Sequence, residues 1–175
     1  VTSLMNNLDY STPPGSRRSM WDVLLRPMNL YFYARSIRTI MNASKFAGKD
    51  EFYERFIEHC GQIIECVEAT GAHLQYGGLK NVSNEPCVYI GNHMSTLETI
   101  TLGNILKDKG KISFVIKESL MKYPYFKDIL GALECITLTR TNPIHDLKKI
   151  LKEGPKLLEK GISVVVFPQH TRGAY

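Results

Sequence analysis

Apolar residues fall into two different rhythms along this chain, and the change comes at Pro86. Before it, apolar positions recur every three or four residues. Phe52, Phe56, Ile57, Cys60, Ile63, Ile64 and Val67 keep that spacing, which is the stripe of an amphipathic helix. Asp50 is placed to cap it and Gly71 to stop it, so a helix is predicted over about 51–70. Upstream, Trp21, Leu24, Leu25, Met28, Leu30, Tyr31, Phe32, Tyr33, Ile37, Ile40, Met41 and Phe46 interleave with arginines. Pro27 fits poorly inside one helix but well in a first turn, so a pair of helices is predicted, about 17–26 and 27–46. Residues 1–16, with Pro13-Pro14-Gly15-Ser16, read as a flexible lead-in.

After Pro86 the texture becomes that of strands. Cys87-Val88-Tyr89-Ile90, Ile112-Ser113-Phe114-Val115-Ile116, Cys135-Ile136-Thr137-Leu138 and Ile162-Ser163-Val164-Val165-Val166-Phe167 are short β-prone runs. Helical stretches separate them at about 96–108, 124–130 and 143–160. This alternation predicts an α/β fold, a mixed or parallel sheet flanked by helices, preceded by the amphipathic N-terminal helix pair. Gly154-Pro155 predicts a kink or a split in the last helix. The units expected are 1–16, 17–46 and an α/β domain over 47–175 that continues beyond the given sequence.

A chain of 175 residues with 43% hydrophobic content can bury one core. Cys60, Cys66, Cys87 and Cys135 show no C-x-x-C or paired zinc spacing, so reduced thiols in a cytosolic setting and no metal site are expected. The net charge of +5 is unevenly placed: residues 1–49 hold seven basic side chains against two acids, and the remaining 126 hold 15 of each sign. The partner implied by the basicity therefore meets the N-terminal segment. Arginine interleaved with aromatic and aliphatic residues suits an interfacial helix on an anionic membrane surface. It suits equally a helix pair packed on the domain's own core. A membrane span needs roughly 18 apolar residues; the charge-free run between Arg26 and Arg35 has eight. Peripheral, monotopic attachment at the cytoplasmic face is the expectation. No recognised nucleic-acid module accompanies the arginines, so nucleic acid is not an expected partner.

Candidate chemistry gathers at the downstream ends of the apolar runs, where an α/β sheet presents loops to a ligand. Ile90 ends the first run, Gly91 allows a turn, and Asn92-His93-Met94-Ser95-Thr96-Leu97-Glu98 follows. Five helical residues advance about 500°, so His93 and Glu98 cannot share a helix face. For the two to touch, His93 must precede the helix and Glu98 must lie in its first turn. The carboxylate could then fix the imidazole tautomer and leave Nε2 as a base. Ser95-Thr96-Leu97-Glu98 is also a well-formed S-x-x-E capping box, in which the glutamate satisfies the N-cap amide. Both roles stay open for Glu98. Arg140 ends the third run, and Phe167-Pro168-Gln169-His170-Thr171-Arg172 ends the fourth.

These blocks resemble those of the 1-acylglycerol-3-phosphate acyltransferases, also called lysophosphatidic acid acyltransferases, in order and in spacing. Residues 92–98 are similar to the family's N-H-x-S-x-x-D, residues 131–140 to its apolar strand ending in arginine, and residues 167–172 to F-P-E-G-T-R. Lys117-Glu118-Ser119-Leu120 resembles its K-x-E-L segment. The resemblance implies an O-acyltransferase that passes a fatty acyl group from acyl-CoA or acyl-carrier protein to the sn-2 hydroxyl of 1-acylglycerol-3-phosphate, giving phosphatidic acid. It implies no cofactor beyond that acyl co-substrate. By the same resemblance His93 is the general base and Glu98 orients it, an H-x4-E variant of H-x4-D. Asn92, Ser95, Lys117, Arg140, Phe167, Pro168, Gln169, Thr171 and Arg172 are the expected substrate-binding residues, the cations gripping phosphate. Three positions depart from the pattern: Glu98 for aspartate, Gln169 for glutamate and His170 for glycine. The last two admit a different lysolipid acceptor, or a catalytically silent lipid-binding relative.

Overall fold

The computed structural model describes residues 8–13, 19–24 and 30–169. Leu8–Ser11 (β1) and Gln75–Gly77 (β2) form a small antiparallel ribbon. Residues 8–11 were expected within a flexible lead-in; they are tied down instead. Tyr10 stacks on Tyr76 with ring centroids 5.2 Å apart. The Tyr10 hydroxyl donates to Glu68 Oε1 at 2.5 Å and the Thr12 hydroxyl donates to the same oxygen at 2.7 Å. Burying these groups against Glu68 offsets the chain entropy of the lead-in.

Met20–Leu24 (α1) and Leu30–Ser44 (α2) occupy the region of the predicted helix pair. Residues 25–29, with Arg26 and Pro27, lie outside the described residues, as do Arg17 and Arg18. Phe52–Glu68 (α3) fulfils the predicted apolar stripe, burying Phe52, Phe56, Cys60, Ile63, Ile64 and Val67. α2 runs antiparallel to α3. Arg35 bridges Glu65 at 2.9 Å near one end, and Phe46, just past α2, packs on His59 nearer the other.

The four predicted runs become the strands Val88–Ile90 (β3), Lys111–Lys117 (β4), Ile136–Leu138 (β5) and Ile162–Val166 (β6). They form one parallel sheet in the order β3-β6-β4-β5, with Val88 opposite Val164, Phe114 opposite Val165 and Ile116 opposite Thr137. Thr96–Ile105 (α4) links β3 to β4, Phe126–Ala132 (α5) links β4 to β5, and Pro143–Glu159 (α6) links β5 to β6. The chain moves one way across the sheet as far as β5 and then returns over β4 to β6. Right-handed crossovers therefore place α4 and α5 on one face and α6 on the other. The two cores reflect this. Ile112, Phe114, Ile116 and Val165 pack with α3 and α5, while Val164, Ile136 and Val115 pack with Leu157, Ile150 and Leu158 of α6. β4 and β6, buried on both faces, read as continuous apolar runs, whereas β3 at the sheet edge leaves Val88 and Ile90 exposed.

α3 and α4 approach closely because Gly103 has no side chain. A Cβ there would lie 2.6 Å from the Phe56 ring and 2.8 Å from Cys60 Sγ. α6 is not split at Gly154-Pro155; it runs unbroken through Pro155. Proline there removes one amide bond, to the carbonyl of the exposed Leu151. Packing of Ile150, Leu157 and Leu158 on the sheet keeps both halves in line.

Candidate active site

All four strands point their carboxyl ends the same way, so the segments after them share one edge of the sheet. At the end of β3, Gly91 donates its amide to the Val166 carbonyl at 3.2 Å, which carries the chain past the strand alongside β6. His93 follows, and Ser95 stands in extended conformation as the N-cap of α4. His93 thus precedes the helix and Glu98 lies in its first turn, as their contact requires.

Glu98 makes both contacts that the sequence left open, to the imidazole and to the helix cap. Its Oε1 accepts from His93 Nδ1 at 3.0 Å, from the Met94 amide at 2.5 Å and from the Ser95 amide at 2.9 Å. Its Oε2 accepts from the Ser95 amide at 2.9 Å and the Ser95 hydroxyl at 2.7 Å. The Ser95 hydroxyl oxygen in turn accepts from the Leu97 amide at 3.0 Å, which closes the capping box. The extra methylene of glutamate lets one carboxylate serve the helix cap and the imidazole together. Burial pushes the Glu98 carboxyl up, but the Ser95, Met94 and His93 hydrogen bonds outweigh it and hold it below the ordinary carboxylate range. An ionised Glu98 accepts only, so in the neutral imidazole Nδ1 carries the proton and Nε2 keeps its lone pair.

Two groups from the end of β6 hold His93 in place. Phe167 stacks on the imidazole with centroids 4.7 Å apart and planes 23° apart. Gln169 Oε1 accepts from the His93 amide. Gln169 and Ser95, both expected to bind substrate, thus make contacts within the protein, Gln169 to the turn that carries His93 and Ser95 as the cap of α4. Asn92 and Pro168 are exposed on the same edge. His170, Thr171 and Arg172 lie outside the described residues.

A second feature lies farther along the edge. β4 sends its chain to the α5 face and β5 sends its chain to the α6 face, and a crevice opens between strands that part in this way. The crevice has a volume of about 450 Å³ and is lined by Lys117, Glu118, Ser119, Met121, Lys122 and Thr139. Lys117 was expected there; Lys122 and Thr139 were not. Lys122 could have been found by following the 3-10 turn Glu118–Lys122 one step past Lys117. Arg140, next to Thr139, is exposed and has φ of 61°. An apolar cavity of about 90 Å³ lies behind the first turns of α4, between Thr99, Ile100, Ile40, Phe56, Phe114 and Phe126. Among the described residues, no helix is long and apolar enough to cross a membrane.

Fold and site together define an α/β protein with a histidine–carboxylate dyad and neighbouring cations at the carboxyl edge of a parallel sheet. The family model described as Acyltransferase matches residues 73–173, and the chain belongs to that family. It is 35% identical over 102 residues to a 1-acyl-sn-glycerol-3-phosphate acyltransferase of Pseudomonas aeruginosa, a match covering 58% of this chain and 38% of that protein. It is 33% identical over 97 residues to a chloroplastic 1-acyl-sn-glycerol-3-phosphate acyltransferase of Arabidopsis thaliana, covering 54% and 26%. A Cocos nucifera protein of the same name is 29% identical over 90 residues, covering 51% and 29%. The matched stretch thus spans well under half the length of these relatives. No solved structure gives a significant match.

Proposed function

We propose that this chain carries the catalytic centre of an acyltransferase that moves a fatty acyl group from a thioester, on coenzyme A or on carrier protein, to the sn-2 hydroxyl of 1-acylglycerol-3-phosphate. The observation that carries the proposal is the His93–Glu98 contact at the end of β3, in a chain of the Acyltransferase family. A glycerol hydroxyl is too weak an acid to attack a thioester unaided. His93 Nε2 takes its proton as the oxygen adds to the carbonyl carbon, and Glu98 stabilises the imidazolium that forms. The tetrahedral oxyanion then collapses, the carbon–sulfur bond breaks, and the imidazolium returns its proton to the leaving sulfur. The acyl group passes directly, with no covalent enzyme intermediate. Lys117, Lys122 and Arg140 supply positive charge for the acceptor's phosphate, and the expected Arg172 adds to it. The apolar cavity beside α4 suits part of an acyl chain.

The same reading puts the protein on an anionic leaflet, at the cytoplasmic face. Support comes from the outward sides of α1 and α2, where Met20, Trp21, Val23, Leu24, Tyr33 and Ile37 are all more than half exposed. The experiment is transfer of radiolabelled acyl groups by the full-length protein, offered a panel of lysolipids in vesicles. Phosphatidic acid should form from lysophosphatidate. Turnover confined to another lysolipid would change the acceptor, and turnover of none would leave a lipid-binding protein. Vesicle flotation that does not respond to removal of residues 1–46 would refute this segment as the anchor, and flotation insensitive to salt would refute its attraction to an anionic surface.

A further inference from the structure

We propose that Asp146 is a positioning residue for the acceptor's phosphate, acting through Thr139 and Arg140; the proposal rests on the acceptor reading above. Asp146 lies in the first turn of α6, with its side chain only 9% exposed. It does not cap its own helix. Asn142 does so, its Oδ1 accepting from the His145 amide at 3.1 Å. Both oxygens of Asp146 reach back to the end of β5. Oδ1 accepts from the Thr139 amide at 3.0 Å and the Thr139 hydroxyl at 3.1 Å, and Oδ2 accepts from the Arg140 amide at 2.7 Å. The Thr139 hydroxyl oxygen accepts in turn from the Thr141 amide at 3.3 Å. The whole corner after β5 hangs from one carboxylate.

Arg140 sits in that corner at φ of 61°, a left-handed conformation that residues with a Cβ avoid. No glycine supplies the turn, so the bonds to Asp146 must hold it. A left-handed residue sends its Cα–Cβ bond in a different direction from an extended one. The carboxylate thereby sets how the Arg140 side chain leaves the sheet edge, and it fixes Thr139, which lines the crevice beside Lys117 and Lys122. Of the charged groups nearby, His145 Nδ1 is 3.9 Å from Oδ1, and Lys149 is engaged with Thr137 Oγ1 at 2.7 Å. Burial pushes the Asp146 carboxyl up, but the Thr139 and Arg140 hydrogen bonds outweigh it, so it stays ionised. Nothing in the proton transfer at His93 uses this acid.

The test is a double-substitution cycle on the full-length protein, with lysophosphatidate in vesicles and KM and kcat measured separately. Asp146→Asn should raise the acceptor KM about tenfold and leave kcat within about twofold. In an Arg140→Ala background the same change should raise KM by no more than about threefold, the part that acts through Thr139. Equal losses of kcat and stability in both backgrounds would mark a merely structural role and overturn the proposal. If Asp146→Asn does not fold, Thr139→Val removes one of the three bonds and should raise KM about threefold; an unchanged KM there overturns the proposal as well. The cycle also separates the two readings. Wild type that does not turn over lysophosphatidate sinks both, whereas turnover with no effect of Arg140→Ala, or with an effect of Arg140→Ala and none from Asp146→Asn, sinks this one alone.

Discussion

Replacing Glu98 by glutamine separates the two tasks of this carboxylate. It accepts from four donors: His93 Nδ1, the Met94 amide, the Ser95 amide and the Ser95 hydroxyl. In Glu98→Gln one oxygen becomes an NH₂ that cannot accept. With the amide oxygen turned to His93, the NH₂ faces the Ser95 amide; turned the other way, it faces His93 Nδ1 and the Met94 amide. A charge-assisted hydrogen bond contributes about 1.5–3 kcal/mol, so stability should fall by an amount in that range. Tm should drop by about 2–4 °C for each kcal/mol lost. The rate should suffer more, because the glutamine can no longer stabilise an imidazolium. General-base catalysis contributes about 10²–10⁴-fold, or roughly 3–5 kcal/mol of barrier. Ser95→Ala is the control. It removes the hydroxyl that accepts from Leu97 and donates to Glu98, but leaves the His93 contact in place. It should cost about 1 kcal/mol of stability and keep kcat within about threefold. Both variants are assayed for acyl transfer from a radiolabelled thioester to lysophosphatidate, with Tm from circular dichroism. If Glu98→Gln keeps kcat within about threefold while losing as much stability as Ser95→Ala, Glu98 is a helix cap and the dyad argument fails.

Other expectations follow from the same geometry. Phe167→Ala removes the ring stacked on His93 and should lower kcat about tenfold with little change in acceptor KM; an unaltered kcat would show that the stacking does not hold the base. Gly103→Ala should destabilise by about 1–3 kcal/mol despite alanine's better helix propensity, because its Cβ meets the Phe56 ring; a raised Tm would show that the α3–α4 packing yields there. Glu98 and Asp146 are both held below the ordinary carboxylate range when folded, so their stabilisation is complete above the unfolded values, about 4, and is lost as pH falls through the folded ones. Stability should be flat on their account at neutral pH and fall in acid, and Glu98→Gln with Asp146→Asn should flatten that acid limb in pH-dependent urea melts.

Much of this molecule was legible one segment at a time. The β4 run, buried on both faces, and the 3–4 stripe of α3 are periodic signals that depend only on near neighbours. That His93 must precede the helix and Glu98 lie in its first turn, if the two are to touch, followed from the 100° step. Legibility stopped where contacts join distant segments. The Gln169 bond to the His93 amide spans 76 residues, and the stacking of Phe167 on His93 comes from the β3–β6 pairing. β1 was unreadable because its stability comes from Tyr76 and Glu68, not from its own four residues. No pattern in the sequence marks Asp146. Only the return of α6 over the end of β5 brings its carboxylate to Thr139 and Arg140. The contest over Glu98 was false for a local reason, since a side chain one methylene longer than aspartate reaches both partners.

Direct acyl transfer driven by His93 is tested most plainly by rapid-quench turnover of the full-length protein, wild type and His93→Ala, with radiolabelled acyl thioester and lysophosphatidate in vesicles. The account predicts that wild type forms phosphatidic acid without any acid-stable acyl-protein intermediate. His93→Ala should lose about 10²–10⁴-fold in the transfer step while binding vesicles as well as wild type. Transfer that survives in His93→Ala, or a burst of acyl-protein preceding phosphatidic acid, would contradict it.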